Sequence, residues 1–147
     1  MYRVYRDGTI KQESSVDVIR QSRQRYDLWI DLDAGVFSER TKGAVDLRGK
    51  RILGRLLVFL IADAGKPFLP EEIFEPVWSR KVIGLSEQIS VRSSISRLRD
   101  LIEPTPPRWK YIQKREPAFW ECPGAYFFEP VSNYCMIVRQ SFTMFPM

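Results

Sequence analysis

The sequence predicts an α+β fold: a short antiparallel meander, then three helices, then a β-hairpin. Three observations carry this expectation. From Tyr26 to Leu47 apolar and polar residues alternate with period two, interrupted at Asp33-Ala34-Gly35 and Lys42-Gly43. From Arg48 to Ile102 the apolar spacing changes to three and four, the period of an amphipathic helix. Beyond Pro104, Pro106 and Pro107 the alternation returns, at 109–114 and 125–128.

The elements follow in order. Tyr2-Arg3-Val4-Tyr5 alternates as a short strand, and Asp7-Gly8 is a turn signal. Residues 15–25 place Val16 and Ile19 on one side of a helix with few apolar anchors, a pattern that also suits the end of a linker. In the first meander strand Tyr26, Leu28, Ile30 and Leu32 face one way and Asp27, Trp29 and Asp31 the other; 36–40 and 44–47 supply the next two. A helix is expected over about 48–64, with Ile52, Leu53, Leu56, Leu57, Leu60 and Ile61 as its buried stripe. Gly65 at C′ and Pro67 end it. Pro70 at N1 and Glu71-Glu72 in the first turn start a second, with Ile73, Phe74 and Val77 inward and Pro76 removing a hydrogen bond near its end. A loop runs from Ser79 to Leu85. The third helix is expected over about 86–102, with Ser86 as its N-cap. The tail carries Tyr134, Met136, Ile137, Val138, Phe142 and Phe145, and so apolar a segment packs either on its own domain or on a second subunit. The expected organisation is an N-terminal extension or linker (1–25), one domain (26–130) and an apolar C-terminal tail (131–147).

The third helix holds the most chemistry. Val91, Ile95, Leu98 and Ile102 form an apolar stripe at i, i+4, i+7 and i+11. Arg92, Ser96 and Arg99 lie on another face, with Ser93, Arg97 and Asp100 beside them. A guanidinium fork matches guanine O6/N7 or a phosphate, and serine permits close approach of the backbone. The pattern suits a helix that enters a DNA major groove; taken alone it equally suits a solvated surface. Charge distribution adds to it. Nine basic and three acidic residues lie between Ser79 and Arg115, so this quarter carries more positive charge than the net +5 of the whole chain.

Other chemistries are excluded. The chain has no histidine, which removes histidine-based triads and histidine metal sites. Cys122 and Cys135 form no CxxC, so no metal is expected, and two reduced thiols suit a cytoplasmic location. Asp31-Leu32-Asp33-Ala34-Gly35 begins like a calcium loop, but Lys42 stands where the bidentate glutamate belongs. No phosphate-cradling glycine motif and no acid/base pair occurs, so neither a cofactor nor an enzymatic activity is expected. The longest apolar run, 56–62, is too short to span a bilayer, and no signal segment opens the chain, so no membrane partner is expected.

The order and spacing of several short motifs resemble a known family. They are Val45-Asp46-Leu47, Ala64-Gly65-Lys66-Pro67-Phe68-Leu69-Pro70-Glu71-Glu72-Ile73, Val77-Trp78, Val91 with Ile95-Ser96-Arg97-Leu98-Arg99, Tyr111-Ile112 and Gly124-Ala125-Tyr126-Phe127. Over about Tyr26 to Phe128 the chain resembles the OmpR/PhoB-type winged-helix DNA-binding domain, the effector half of many bacterial response regulators. The resemblance implies a winged helix-turn-helix fold and a regulator of transcription bound to double-stranded DNA. The helix at about 86–102 would enter the major groove, and the hairpin would be a wing on the adjacent backbone or minor groove. It implies that Arg97 reads bases, that Arg99 and Ser90 meet the DNA backbone, that Trp78 donates to a phosphate and that Lys114 reaches the minor groove. With Arg92, Ser93 and Ser96 on the helix and Arg115 beside Lys114, these are the candidate DNA-binding residues. The loop from Ser79 to Leu85 matches the segment through which some relatives contact RNA polymerase. The small footprint of one winged helix implies a homodimer on adjacent half-sites.

The chain departs from the family pattern in its wing. Glu116-Pro117-Ala118-Phe119-Trp120-Glu121-Cys122-Pro123 is longer, more aromatic and less basic than the usual turn. Glu116 stands where an arginine is common, with Arg115 as its substitute, and Ser96 replaces a frequent basic residue. No receiver domain fits in 1–25, so no phosphorylation switch is expected within the chain. The acidic, aromatic wing and apolar tail favour the alternative, a winged helix that serves as a protein–protein interaction module without DNA binding.

Overall fold

The computed structural model describes residues 1–81, 84–115, 124–129 and 133–140. The expected wing tip with Glu116, Phe119, Trp120 and Cys122 lies outside the described residues, as do Val82 and Ile83 of the loop and Phe142 and Phe145 of the tail.

The meander forms where the alternation places it, as β3 (Leu28–Asp31), β4 (Val36–Glu39) and β5 (Gly43–Asp46). Residues 1–25, expected to be an extension or linker, supply β1 (Tyr2–Arg6), β2 (Thr9–Glu13), the short helix α1 (Asp17–Gln21) and a 3₁₀ turn (Arg23–Arg25). Asp7 and Gly8 both take positive φ, 48° and 85°, the geometry that lets a two-residue turn follow the twist of the strands it joins. The tail returns as β8 (Tyr134–Arg139). The six strands make one sheet in the order β2-β1-β8-β3-β4-β5. β8 is antiparallel to β1 and parallel to β3, with Ile137 opposite Val4 and Met136 opposite Ile30. The described part of the tail therefore packs within its own domain, with β8 at the centre of the sheet.

A strand covered on both faces reads as a near-continuous apolar run. That is the character of Tyr134-Cys135-Met136-Ile137-Val138, all buried. Tyr134, Met136 and Val138 join Tyr5, Leu28 and Ile30 in the main core, while Cys135 and Ile137 join Val4, Val16 and Trp29 in a smaller one beneath α1. Burial pushes the Cys135 thiol up to about 12, so it packs as a neutral group. A chain of ion pairs fastens the smaller core's rim. Arg20 of α1 reaches Asp31 at 2.7 Å and Asp33 at 2.9 Å, and Arg139 of β8 reaches Asp33 at 2.7 Å.

Three helices cover the other face: α2 (Arg51–Ala62), α3 (Pro70–Trp78) and α4 (Leu85–Ile102). Leu56, Leu57, Leu60, Ile73, Phe74, Val77, Val91, Leu98 and Ile102 have no or almost no exposed surface, as their spacing requires. α4 starts one residue before the expected Ser86 cap. Its N-cap is Gly84, whose N–H donates to the Glu87 carboxylate at 2.9 Å, and the Ser86 hydroxyl donates to the same oxygen at 2.9 Å. Glu87 at N3 thus satisfies an orphan donor that no cap side chain reaches.

The hairpin consists of β6 (Ile112–Arg115) and β7 (Ala125–Phe128). β7 also exchanges two 2.8 Å hydrogen bonds between Tyr126 and Phe68, and the Gly65 N–H donates to the Phe128 carbonyl at 2.8 Å. The expected strand at 109–114 begins later because a side chain has claimed its first donors. The buried Glu103 carboxylate, at the end of α4, accepts the N–H groups of Lys110 at 2.6 Å, Tyr111 at 2.8 Å and Ile112 at 2.8 Å. A second buried carboxylate, Glu39 of β4, accepts the Tyr111 hydroxyl at 2.7 Å and the N–H groups of Thr41 at 2.5 Å and Lys42 at 2.9 Å. Burial, reinforced by that bond to Glu39, raises the Tyr111 phenol above its usual range. Lys42 in turn donates to the Asp100 and Glu103 carbonyls, capping the C-terminus of α4 with a cation.

Two outcomes follow for stability. Glu103→Ala leaves three N–H groups without this acceptor, two of them buried, and should destabilise the fold by about 3 kcal/mol in urea melts; a loss below about 1 kcal/mol would contradict this account. Arg139, with Arg20 in support and against the opposing effect of burial, holds the Asp33 carboxyl below its ordinary value of 3.8. A depressed folded value means that Asp33 stabilises the fold fully above the ordinary value and loses that contribution as pH falls through its folded one. Asp33→Asn should therefore lower Tm at pH 7 and shrink the difference in Tm between pH 7 and pH 3.

Candidate functional site

The outward face of α4 is set by its inward one. Val91, Ile95, Leu98 and Ile102 are buried, so the residues on the opposite side meet solvent: Arg92, Ser93, Ser96 and Arg97 are all exposed. Ser90 is half-buried, and its hydroxyl donates to the Ser86 carbonyl at 3.1 Å, one turn back. Trp78, at the end of α3, is half-buried and stacks on Phe74 with ring centroids 5.0 Å apart. Lys114 and Arg115 project from β6 and are exposed. The Lys114 stem lies over Gly124, where an added Cβ would sit 2.2 Å from its Cε.

Arg99 differs from its neighbours. Its Nε and Nη2 donate to the Ile112 carbonyl at 3.2 and 2.9 Å, and its guanidinium lies 4.4 Å from the Trp109 ring centre and 5.7 Å from that of Tyr126. Burial lowers its pKa from the usual arginine value. Two residues along a helix is a turn of about 200°, so Arg97 and Arg99 cannot share a face. Arg97 points out, while Arg99 joins α4 to the hairpin.

Sequence reasoning missed part of the surface. A cleft of about 620 Å³ opens between the start of α2 and the side of α4, lined by Lys50, Arg51, Trp78, Ser90, Ser93 and Arg97 among others. The first turn of α2 has no acid, no capping side chain, and Lys50 as its N-cap. Cations at the positive end of a helix are locally unfavourable, a mismatch that a bound anion relieves. That pair of basic residues was the available signal.

On the sheet side Arg20, Arg40, Arg48 and Arg139 each pair with an aspartate. Among the described residues no acid pairs with Lys50, Arg51, Arg92, Arg97, Lys114 or Arg115. Cations left without acids around a cleft and a serine-rich helix give this face a positive potential. No group of three metal-ligating side chains occurs among the described residues, and no helix there is long and apolar enough to cross a membrane.

Residues 45–117, from β5 to just past β6, match the family described as "Transcriptional regulatory protein, C terminal". Among solved structures the chain is similar to the response regulator DrrB, a Thermotoga maritima OmpR/PhoB homolog, at 24% identity and a TM-score of 0.42 over 81% of this chain. The chain spans 55% of the length of that structure. No curated protein matches it.

The contrast between the two arginines has a measurable consequence. Arg99→Ala should destabilise the domain by about 2 kcal/mol, through the lost charged hydrogen bonds and ring contacts. Arg97→Ala should change stability by less than about 0.5 kcal/mol, as expected of an exposed side chain. Urea denaturation of the two variants beside the parent tests this pair.

Proposed function

This chain belongs to the OmpR/PhoB-type family of transcriptional regulatory C-terminal domains, and on that premise we propose how it reads double-stranded DNA. The domain is a DNA-binding effector of transcription regulation with a winged-helix fold. In the proposed complex α4 lies in the major groove. Arg97 forks onto guanine O6 and N7, with Arg92, Ser93 and Ser96 on flanking base edges or phosphates. Lys50, Arg51 and the Trp78 indole N–H hold phosphates on one side of the groove. Lys114 and Arg115 hold the backbone or minor groove on the other. Arg99 contributes indirectly by fixing the hairpin relative to α4. The observation that carries this reading is the set of exposed cations around α4 and the adjoining cleft, Lys50, Arg51, Arg92 and Arg97, that have no acid partner among the described residues.

Two further roles belong to the same reading. The loop from Ser79 to Leu85 touches RNA polymerase, and two copies bind adjacent half-sites as a homodimer, since one such module covers a short site. The working location is the cytoplasm. The family is one of DNA-binding domains, so no catalytic step is assigned. The family match likewise favours DNA over the protein-interaction alternative.

Selection of sites from random duplex DNA at two salt concentrations tests the reading. The parent should enrich one sequence, with affinity falling steeply as salt rises. Arg97→Ala should relax preference at one base pair and cost about 1–3 kcal/mol there. Lys114→Ala should weaken all sequences alike and reduce the salt slope by about one. Variants that bind the selected site as the parent does, with the same slope, would contradict the assignment.

A further inference from the structure

The midline of the outward face of α4 carries an apolar residue that the DNA-binding reading leaves unused. Ile89, Ser93, Ser96 and Asp100 repeat the i, i+4, i+7, i+11 spacing of the buried stripe, displaced by two residues and so to the opposite side of the helix. Ile89 is 52% exposed, and Leu85, one turn before it, is 66% exposed. Both are among the most exposed large apolar residues described. Ile89 also lines the outer edge of the cleft that holds Lys50, Arg51 and Arg97.

We propose that Ile89, with Leu85 beside it, packs on the C5-methyl groups of thymines in the major groove and makes the bound site thymine-specific there. The inference rests on the DNA-binding reading and extends it to a position that Arg97 does not reach. Thymine is the one base that presents an apolar group in the major groove. An isoleucine facing any other base edge would strip water from amino or carbonyl groups and offer no hydrogen bond in return. The surrounding charge selects the same partner. A surface seated on Ile89 lies beside Arg92, Arg97 and Lys50, which have no acid partner among the described residues. A duplex groove supplies a methyl group and two rows of phosphates together, whereas an apolar protein surface would leave those cations buried without counter-charge. Eight residues separate Ile89 from Arg97, a rise of about 12 Å, which spans about three or four base-pair steps.

The test replaces thymine by uracil, which differs only in lacking the methyl group, at each position of the site selected by the parent. A single dT-to-dU change about three or four pairs from the guanine read by Arg97 should weaken the parent about three- to tenfold. Ile89→Ser should bind the dT and dU sites alike, and Ile89→Leu should keep the preference for dT. A parent that binds its selected site with no dU sensitivity at that distance overturns this inference and leaves the DNA-binding reading standing. Equal dU sensitivity in the parent and Ile89→Ser overturns it too. So does an Ile89→Ser variant with unchanged DNA binding that no longer binds purified RNA polymerase, because the face then serves a protein. A parent that enriches no sequence from random DNA overturns the DNA-binding reading itself, and this inference with it.

Discussion

At the C-terminal end of α4 the Glu103 carboxylate, fully buried, accepts the backbone N–H groups of Lys110, Tyr111 and Ile112. A charge taken out of water survives only where hydrogen bonds replace its hydration, and three donors from one segment do so here. The same bonds fix the direction in which the chain leaves the helix and enters β6. Tyr111 then carries the constraint onward, because its hydroxyl donates to Glu39 in the sheet. Lys42 closes the circuit by returning its ammonium group to the last carbonyls of α4. Sheet, helix and hairpin are locked by groups that each satisfy another's buried demand. The outward face of α4 and the cations of β6 are therefore held at a fixed mutual angle before any partner arrives. Such preorganisation lowers the ordering cost of binding.

Arg97 and Arg99 show how little residue type says about role. They are identical side chains two positions apart on one helix. The helical rotation sends one to solvent and the other onto the Ile112 carbonyl and the Trp109 ring. The half-buried arginine remains tolerable because its guanidinium meets a carbonyl oxygen and lies against two aromatic rings. The resemblance implied a backbone-contacting role for Arg99. In this fold two of its donors, Nε and Nη2, already serve the Ile112 carbonyl of the hairpin.

The meander, the three helices and the hairpin were legible in the sequence because each announces itself locally, by a period of two or of three and four. α3 runs over Pro70–Trp78, as its proline and its first-turn acids mark it. The placement of β8 was not legible. Its apolar run says that both faces are covered, but nothing local says that β1 and β3 flank it, and each of those pairings spans more than a hundred residues. For the same reason Tyr2-Arg3-Val4-Tyr5 reads as an isolated strand until its partner arrives from the far end of the chain. Glu39 and Glu103 look like ordinary surface acids, because burial of a carboxylate depends on donors supplied from elsewhere. At the site, the exposed arginines and serines of α4 follow directly from the helical period. Lys50 and Arg51 were overlooked because their meaning depends on where the start of α2 lies relative to α4.

The threading of the chain makes the hairpin more than an appendage. β6 is bound to α4 through Glu103 and Arg99, and β7 is bound to the segment between α2 and α3 through Phe68 and Gly65. Only five residues separate β7 from β8, at the centre of the sheet. A rotation of the hairpin about α4 would have to break the Arg99 and Glu103 bonds at one end and pull on a strand buried from Tyr134 to Val138 at the other. The hairpin beside α4 is thus tied through the chain to the sheet, where β8 pairs with β1. The charge pattern follows the same division. Aspartates pair with Arg20, Arg40, Arg48 and Arg139, whereas the cations of α4 and β6 that have no acid partner among the described residues stand on rigid elements, where their field is fixed in direction.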